Sequence, residues 1–187
     1  LPTQEKLRST GVELTRHYIA SVACAPSRTS LFTGHYPSLH GVSNTDGGAK
    51  TASDPGMFWL DPNTVPTLGD WFRTAGYRTF WKGKWHISHA DILIPGTRVG
   101  LPSYNDDGTR NAAKEALYLS AGRLEEYGFS GWIGPEPHGP DPLNSASSAK
   151  DALGRDQAIA DQVIELINQL NAQADATPWL MLASFIN

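Results

Sequence analysis

The stretch that most constrains this chain is CAPSRTSLFTGHYP, residues 24–37. Pro26 suits the first turn of a helix, because the N–H groups of that turn have no intrahelical partners. Gly34 is a typical residue just beyond a helix end. The pattern therefore predicts a helix whose N-terminal end carries Cys24, with Arg28 one turn further along.

The composition around this helix limits the class of protein. The chain has 187 residues, of which 40% are apolar and six are Trp, so it is long and apolar enough to bury a sizeable core. Its formal net charge is −4, from 15 Lys+Arg and 19 Asp+Glu, which is not the basic footprint of a nucleic-acid-binding protein. The longest apolar run, Trp179–Ile186, is far shorter than the ~20 residues of a membrane helix. We expect no nucleic-acid partner and no membrane segment.

Alternating helix and strand patterns predict an α/β layered fold. Helices are predicted over 4–9, from Leu68 behind the cap Thr67 to Gly76, and between Arg155 and Gln173. Strands are predicted over Val12–Ile19, Tyr77–Trp81 and Trp179–Ile186, the last apolar on both faces as in a sheet covered on both sides. The stretches 41–63, 88–118 and 131–148 are predicted loops.

The single cysteine excludes a disulfide framework and a multi-cysteine metal site. Most lone cysteines are small buried hydrophobes. At a helix N-terminus near Arg28, however, the helix dipole and a fixed cation would stabilise a thiolate or a bound anion. The residues alone leave both interpretations of Cys24 open.

A second motif, Gly83-Lys84-Trp85-His86-Ile87, follows directly on the predicted strand Tyr77–Trp81. Taken alone, a Lys and a His two residues apart at a strand end are a weak signal. His86 could equally be a hydrogen-bonded structural histidine.

The first motif resembles a signature of the type I sulfatases, which belong to the alkaline phosphatase superfamily. The family's Cys-x-Pro-Ser-Arg is matched at every specified position, by Cys24, Pro26, Ser27 and Arg28. Residues 29–37 resemble the family's continuation into Thr-Gly-Arg-Tyr-Pro, with His35 where Arg is usual.

The second motif is similar to the family's Gly-Lys-Trp-His-Leu-Gly, with Ile87 and Ser88 in the last two places. The resemblance covers most of residues 2–87 and is thin over 88–150. It implies an alkaline-phosphatase-like α/β sandwich, with a mixed, mostly parallel sheet between helices.

The resemblance also implies a reaction. In this family the motif cysteine is oxidised to Cα-formylglycine by a formylglycine-generating enzyme, and we expect Cys24 to be convertible because its motif is complete. The hydrated aldehyde, held against Ca²⁺ or another divalent cation such as Mg²⁺, attacks the sulfur of a sulfate ester. Its second hydroxyl then loses a proton and sulfate leaves. Such an ester needs a strong oxygen nucleophile and nearby positive groups.

The family's roles fall on four residues of this chain. Cys24, as formylglycine, would be both nucleophile and metal contact. Arg28 would hold its oxygens, and Lys84 would bridge it to the sulfate. His86 would take the proton of the second hydroxyl, since histidine titrates near neutral pH.

The remaining metal ligands have no counterpart in the sequence. The family's metal-binding Asp pair precedes the Cys motif, whereas residues 1–23 contain no Asp. The chain also opens on Leu1 and stops directly after the Trp179–Ile186 run. We therefore expect residues 1–187 to be part of a sulfatase N-terminal catalytic domain without its first strand and C-terminal half, and to be inactive alone.

Several alternatives stay open. His35, His40, His89 and His138 are candidate pocket residues, although a surface or loop position is the simpler interpretation. Asp106-Asp107-Gly108 is a candidate cation site, but turn chemistry explains it better. The rival functions are a phosphonate monoester or phosphodiester hydrolase of the same superfamily and a non-catalytic sulfatase-like binding protein. Many family members are exported, so a periplasmic or extracellular location is compatible with the sequence, which shows no leader at residue 1.

Overall fold

The computed structural model describes residues 2–47, 50–137 and 155–186. Within these ranges the helices are α1 (Pro2–Thr10), α2 (Cys24–Thr33), α3 (Pro37–His40), α4 (Leu68–Thr74), α5 (Ala112–Ala121) and α6 (Arg155–Ala172), with a 3₁₀ turn over Glu125–Tyr127. The strands are β1 (Arg78–Gly83) and β2 (Trp179–Ser184).

A parallel pair of strands organises these elements. β1 and β2 run side by side, with Arg78 opposite Trp179 and Gly83 opposite Ser184. A parallel pair needs a long crossover connection, and here the crossover contains α5 and α6. The predicted α/β class is confirmed.

An aromatic cluster forms the centre of the core. The Trp81 ring is fully buried and makes edge-to-face contacts with Phe32, Trp85 and Phe129, at centroid distances of 4.7, 4.8 and 5.0 Å. Such edge-to-face contacts are favoured by the ring quadrupoles. Helix α2, strand β1 and the segment that follows β1 are therefore packed around one tryptophan.

Helix α4 begins as the sequence predicts. The Thr67 hydroxyl accepts a hydrogen bond from the Gly69 N–H (3.0 Å), and the Asp70 carboxylate accepts one from the Thr67 N–H (2.7 Å). This capping box satisfies N–H groups that the first turn leaves unpaired. The other edge of β1 is covered by Ser130, whose carbonyl accepts from the Trp81 N–H at 3.0 Å.

The structure corrects two of the predicted elements. The strand predicted over Val12–Ile19 is wrong: the stretch is irregular, and Val12 and Tyr18 are 89% and 84% exposed. No strand among the described residues lies beside it to accept its backbone hydrogen bonds. The loop predicted over 88–118 ends in helix α5, whose only buried residues are Glu115 and Tyr118. With so few buried positions, the apolar residues of α5 follow no strong helical periodicity, and the sequence therefore did not indicate a helix there.

The last strand is also less covered than its sequence predicts. None of its residues is buried, and Trp179 is 41% exposed. Among the described elements, β2 packs against β1 and α6. The prediction of a strand covered on both faces is therefore wrong for these residues.

The other predicted elements agree with the structure where it describes them. α1, α2, α4, α6 and β1 lie within one to three residues of their predicted bounds. The described parts of 41–63 and 131–148 contain no helix or strand, and residues 138–148 lie outside the described ranges. In the part of the chain that the structure describes, no helix combines the length and apolar character needed to span a bilayer.

The aromatic cluster yields a stability prediction. Replacing Trp81, which is fully buried, with Ala should lower the free energy of unfolding by about 3–5 kcal/mol, because it leaves a large cavity. The matched change Trp71→Ala, at a side chain that is 61% exposed, should cost about 0.5 kcal/mol or less. Urea unfolding of both variants is the measurement. Equal losses would contradict the assignment of the core to Trp81.

Candidate functional site

Helix α2 presents Cys24 at its N-terminal end. Cys24 is the first residue of the helix and its thiol is exposed, so the buried-hydrophobe interpretation is wrong. The cap residue Ala23 has no side chain that could satisfy the first N–H groups. The exposed thiol therefore lies at the positive end of the helix dipole.

Arg28 joins this helix to the second motif. Its Nε donates to the carbonyl oxygen of Trp85 (2.7 Å), and its Nη2 donates to the carbonyl oxygen of Lys84 and to the Ser184 hydroxyl (3.1 Å). The guanidinium also lies 5.8 Å from the ring centroids of Phe32 and Trp81. Burial lowers the pKa of Arg28, while the charges of Glu136 and Cys24 raise it. These hydrogen bonds go to the main chain of the second motif and to Ser184, so Arg28 links the two motifs.

Glu136 holds the same segment from its amide side. Its Oε1 accepts from the His86 N–H (2.5 Å) and its Oε2 from the Trp85 N–H (3.2 Å). The side chain is buried, and burial together with the charge of Asp91 raises the pKa of Glu136 to about 8. The His86 N–H, Arg28 and Lys84 act in the opposite direction.

The segment 84–86, which we call the clamped segment, follows a sharp change of backbone direction. Gly83 has φ +83°, and a Cβ there would lie 2.1 Å from the Ser184 carbonyl oxygen, so only glycine fits. His86 has φ +54°, a left-handed conformation that is uncommon for residues other than glycine. The conformation that directs the His86 side chain is thus set by its surroundings.

The side chains of the clamped segment differ in their contacts. Among the described residues, the Lys84 ammonium has no hydrogen bond or ion pair, although it is close enough to Glu136 to affect the pKa of that group. The imidazole of His86 is 5% exposed, and its Nε2 pairs with the Asp46 carboxylate, which is 6% exposed. The Trp59 ring lies 5.7 Å from the imidazole. A hydrogen bond from Nε2–H to Asp46 would leave the ring lone pair on Nδ1.

Asp46 and Glu136 are the two residues that the sequence does not point to. Both lie in predicted loops, 40 and 50 residues from His86 along the chain. Neither belongs to a motif with fixed spacing. The one available signal is that loops this long in a compact domain are often functional.

The other sequence candidates separate cleanly. His40 is buried, with its Nδ1 accepting from the Val42 N–H (3.1 Å) and its Nε2 bonded to the Ser30 hydroxyl (3.0 Å), so it is structural and not a pocket residue. His89 is exposed, His35 is half-buried, and His138 lies outside the described residues. Asp107 accepts from the Thr109 N–H and hydroxyl, which lowers its pKa and confirms the turn interpretation.

The described residues do not supply a metal centre. Over 2–47, 50–137 and 155–186, no group of three or more His, Cys, Asp or Glu side chains is arranged to hold a metal ion. The residues present therefore do not fit the divalent cation that the resemblance implies.

The family model described as "Sulfatase" matches residues 1–187. Human steryl-sulfatase is 38% identical over 89 residues, or 46% of this chain and 15% of that protein. An uncharacterised sulfatase of Escherichia coli K12, YidJ, is 28% identical over 186 residues, or 97% of this chain and 32% of that protein.

Two solved structures share the fold across the whole chain. One is the PsFucS1 sulfatase of Pseudoalteromonas sp., at 25% identity, a TM-score of 0.53 and 38% coverage of that structure. The other is a phosphonate monoester hydrolase of Agrobacterium radiobacter, at 22% identity, a TM-score of 0.52 and 36% coverage. These neighbours confirm the predicted alkaline-phosphatase-like architecture. The chain spans between 15% and 38% of the length of these relatives and structures.

The buried Glu136 predicts a pH-dependent stability. Its pKa is about 8 in the folded chain against an ordinary value of 4.5, so between these values the folded state binds more protons than the unfolded state. The contribution of Glu136 therefore makes the free energy of unfolding fall as pH rises from about 5 to about 8. The variant Glu136→Gln cannot ionise and should flatten this slope in urea unfolding. The exposed change Glu126→Gln should keep it, and an unchanged slope in Glu136→Gln would refute the assignment.

Proposed function

The chain belongs to the sulfatase family, and on that premise we propose that its parent protein is a sulfuric ester hydrolase whose reaction centre lies between the start of α2 and the clamped segment. One observation carries the proposal. The Arg28 side chain donates to the carbonyl oxygens of Lys84 and Trp85, so two motifs more than 50 residues apart form one local structure. Neither motif alone would support this function.

The local electrostatics suit a sulfate group. The N-terminus of α2 carries partial positive charge. Lys84 adds an ammonium group that forms no ion pair with the described residues. A sulfate ester has negatively charged oxygens that such groups would bind. Positive groups also stabilise the charge that develops on the leaving oxygen.

Cys24 is proposed as the modified nucleophile. Its thiol is exposed at the helix end. The motif that a formylglycine-generating enzyme would recognise, Cys24, Pro26, Ser27 and Arg28, is complete in the sequence. The aldehyde made from its thiol would, once hydrated, supply an oxygen nucleophile toward sulfur. Lys84 would bind a sulfate oxygen, and His86 would take a proton while Asp46 fixes the orientation of its ring.

The divalent cation is a separate part of the proposal. Because the described residues do not form a metal site, Ca²⁺ or Mg²⁺ would need ligands besides Cys24 that these residues do not supply. The chain covers 32% of the length of the YidJ sulfatase, which leaves room for such ligands elsewhere in a parent protein of similar size. We propose that residues 1–187 are one part of a catalytic domain and that turnover needs the rest.

The test uses the parent protein co-expressed with a formylglycine-generating enzyme. We expect mass spectrometry to show Cys24 converted, and 4-nitrophenyl sulfate to be hydrolysed. Cys24→Ala should reduce kcat by about a thousandfold or more, because it removes the nucleophile. Lys84→Ala should reduce it by about a hundredfold, as for loss of one charge-stabilising group, whereas the exposed change Lys6→Ala should leave it unchanged.

Three outcomes would overturn parts of this proposal. Only intact thiol at Cys24, with no turnover, would favour a non-catalytic binding protein. Faster hydrolysis of phosphonate monoesters or phosphodiesters than of sulfate esters would favour the rival hydrolase, whose fold is shared by the Agrobacterium radiobacter structure. Robust turnover by the isolated 187-residue segment would refute the need for further parts of the domain.

A further inference from the structure

We propose that Glu136 is a positioning residue for Lys84 and His86. It contacts the main chain of the clamped segment through two hydrogen bonds and thereby sets the direction of two of its three side chains, those of Lys84 and His86. The inference rests on the proposed function insofar as those side chains act on a sulfate ester. The geometry that carries it is independent of the reaction.

The hydrogen-bond donors of the clamped segment match the acceptors of Glu136. Two successive N–H groups, of Trp85 and His86, meet the two oxygens of one carboxylate, at 3.2 and 2.5 Å. Only Asp or Glu offers two acceptor oxygens on one side chain. A Gln at position 136 would turn an amide NH₂ toward one of these N–H groups. The carboxylate is therefore specific to this arrangement and is not a generic polar contact.

Arg28 and Glu136, which bind the main chain of the clamped segment, carry opposite charges when both are ionised. Arg28 takes the carbonyl oxygens of Lys84 and Trp85, while Glu136 takes the amides of Trp85 and His86. A half-buried guanidinium and a buried carboxyl group thus lie on either side of the same peptide units. Each favours the charged form of the other, and for Glu136 that form predominates above its pKa of about 8. Buried charges persist in proteins when they are paired and hydrogen-bonded in this way.

The backbone of His86 is also restrained by Glu136. Its left-handed φ of +54° is unfavourable for a residue with a side chain and persists only where the surroundings hold it. The hydrogen bond from its N–H to Glu136 is a direct restraint on that conformation. Loss of the carboxylate should let the peptide relax and turn the imidazole away from its present direction.

Glu136 itself is rigidly held. Its side chain is 5% exposed, and its own N–H donates to the Asp91 carboxylate at 2.7 Å. The residue is held at both its main chain and its side chain. It can therefore transmit a fixed geometry to the clamped segment.

The experiment compares Glu136→Gln with the exposed control Glu126→Gln in the full-length protein at about pH 9, above the pKa of about 8 that burial gives Glu136, so that the carboxyl group is ionised. For the first variant we expect kcat on 4-nitrophenyl sulfate to fall by about 10- to 100-fold with KM changed by less than about threefold, as misplaced catalytic groups would cause. We also expect faster hydrogen exchange at the amides of Trp85 and His86. The ¹H–¹³C signal of the His86 ring should shift, while that of His40, which is buried and bonded to Ser30, should not.

The outcomes separate this inference from the proposed function. Absence of turnover in the wild-type protein would overturn the proposed function alone, and the His86 signal and the two exchange rates would still decide the role of Glu136. Unchanged kcat, or an unchanged His86 signal and unchanged exchange, in a folded Glu136→Gln protein would overturn the inference. If that variant does not fold, Glu136→Asp decides. Its carboxylate is one methylene too short, so a kcat fall at constant KM supports positioning and a wild-type kcat contradicts it.

Discussion

The described structure depends on one constraint, which is that residues 84–86 are held from opposite sides by two ionisable side chains, the half-buried Arg28 and the buried Glu136. Arg28 binds their carbonyl oxygens and Glu136 binds their amides. Arg28 comes from helix α2 and also reaches Ser184 at the end of β2, so three distant parts of the chain meet at this point. The aromatic cluster around Trp81 packs against the same helix and strand.

The residues of the two motifs differ in exposure: Cys24 is exposed, Arg28 and Lys84 are half-buried, and His86 is buried. Cys24 remains open at the helix terminus, where a modifying enzyme or a sulfate group could reach it. Arg28, one turn later, makes its hydrogen bonds to the second motif through Nε and Nη2, and the Lys84 ammonium has no ion pair among the described residues.

The sequence allowed prediction of what depends on local pattern. Helix α2, its terminal Cys24 and the capping box at Thr67 follow from proline, glycine and threonine at fixed positions. Contacts between distant residues could not be predicted from the sequence. Glu136 and Asp46 contact His86 from 50 and 40 residues away, and no motif with fixed spacing connects them to it. The strand prediction for the exposed residues 12–19 is wrong for a related reason. β-Branched and aromatic residues form a strand where a neighbouring strand pairs with them, and no such strand lies beside this stretch in the part of the chain that the structure describes.

The most direct test of the clamp is a double-mutant cycle on the free energy of unfolding, with Arg28→Lys, Glu136→Gln and the double variant. If Arg28 and Glu136 together hold residues 84–86, the losses in the free energy of unfolding should be non-additive by about 1 kcal/mol or more. Once one of the two side chains is replaced, the segment is already partly released and the second replacement costs less. Effects that add to within about 0.5 kcal/mol would show that the two residues act independently and would contradict the account.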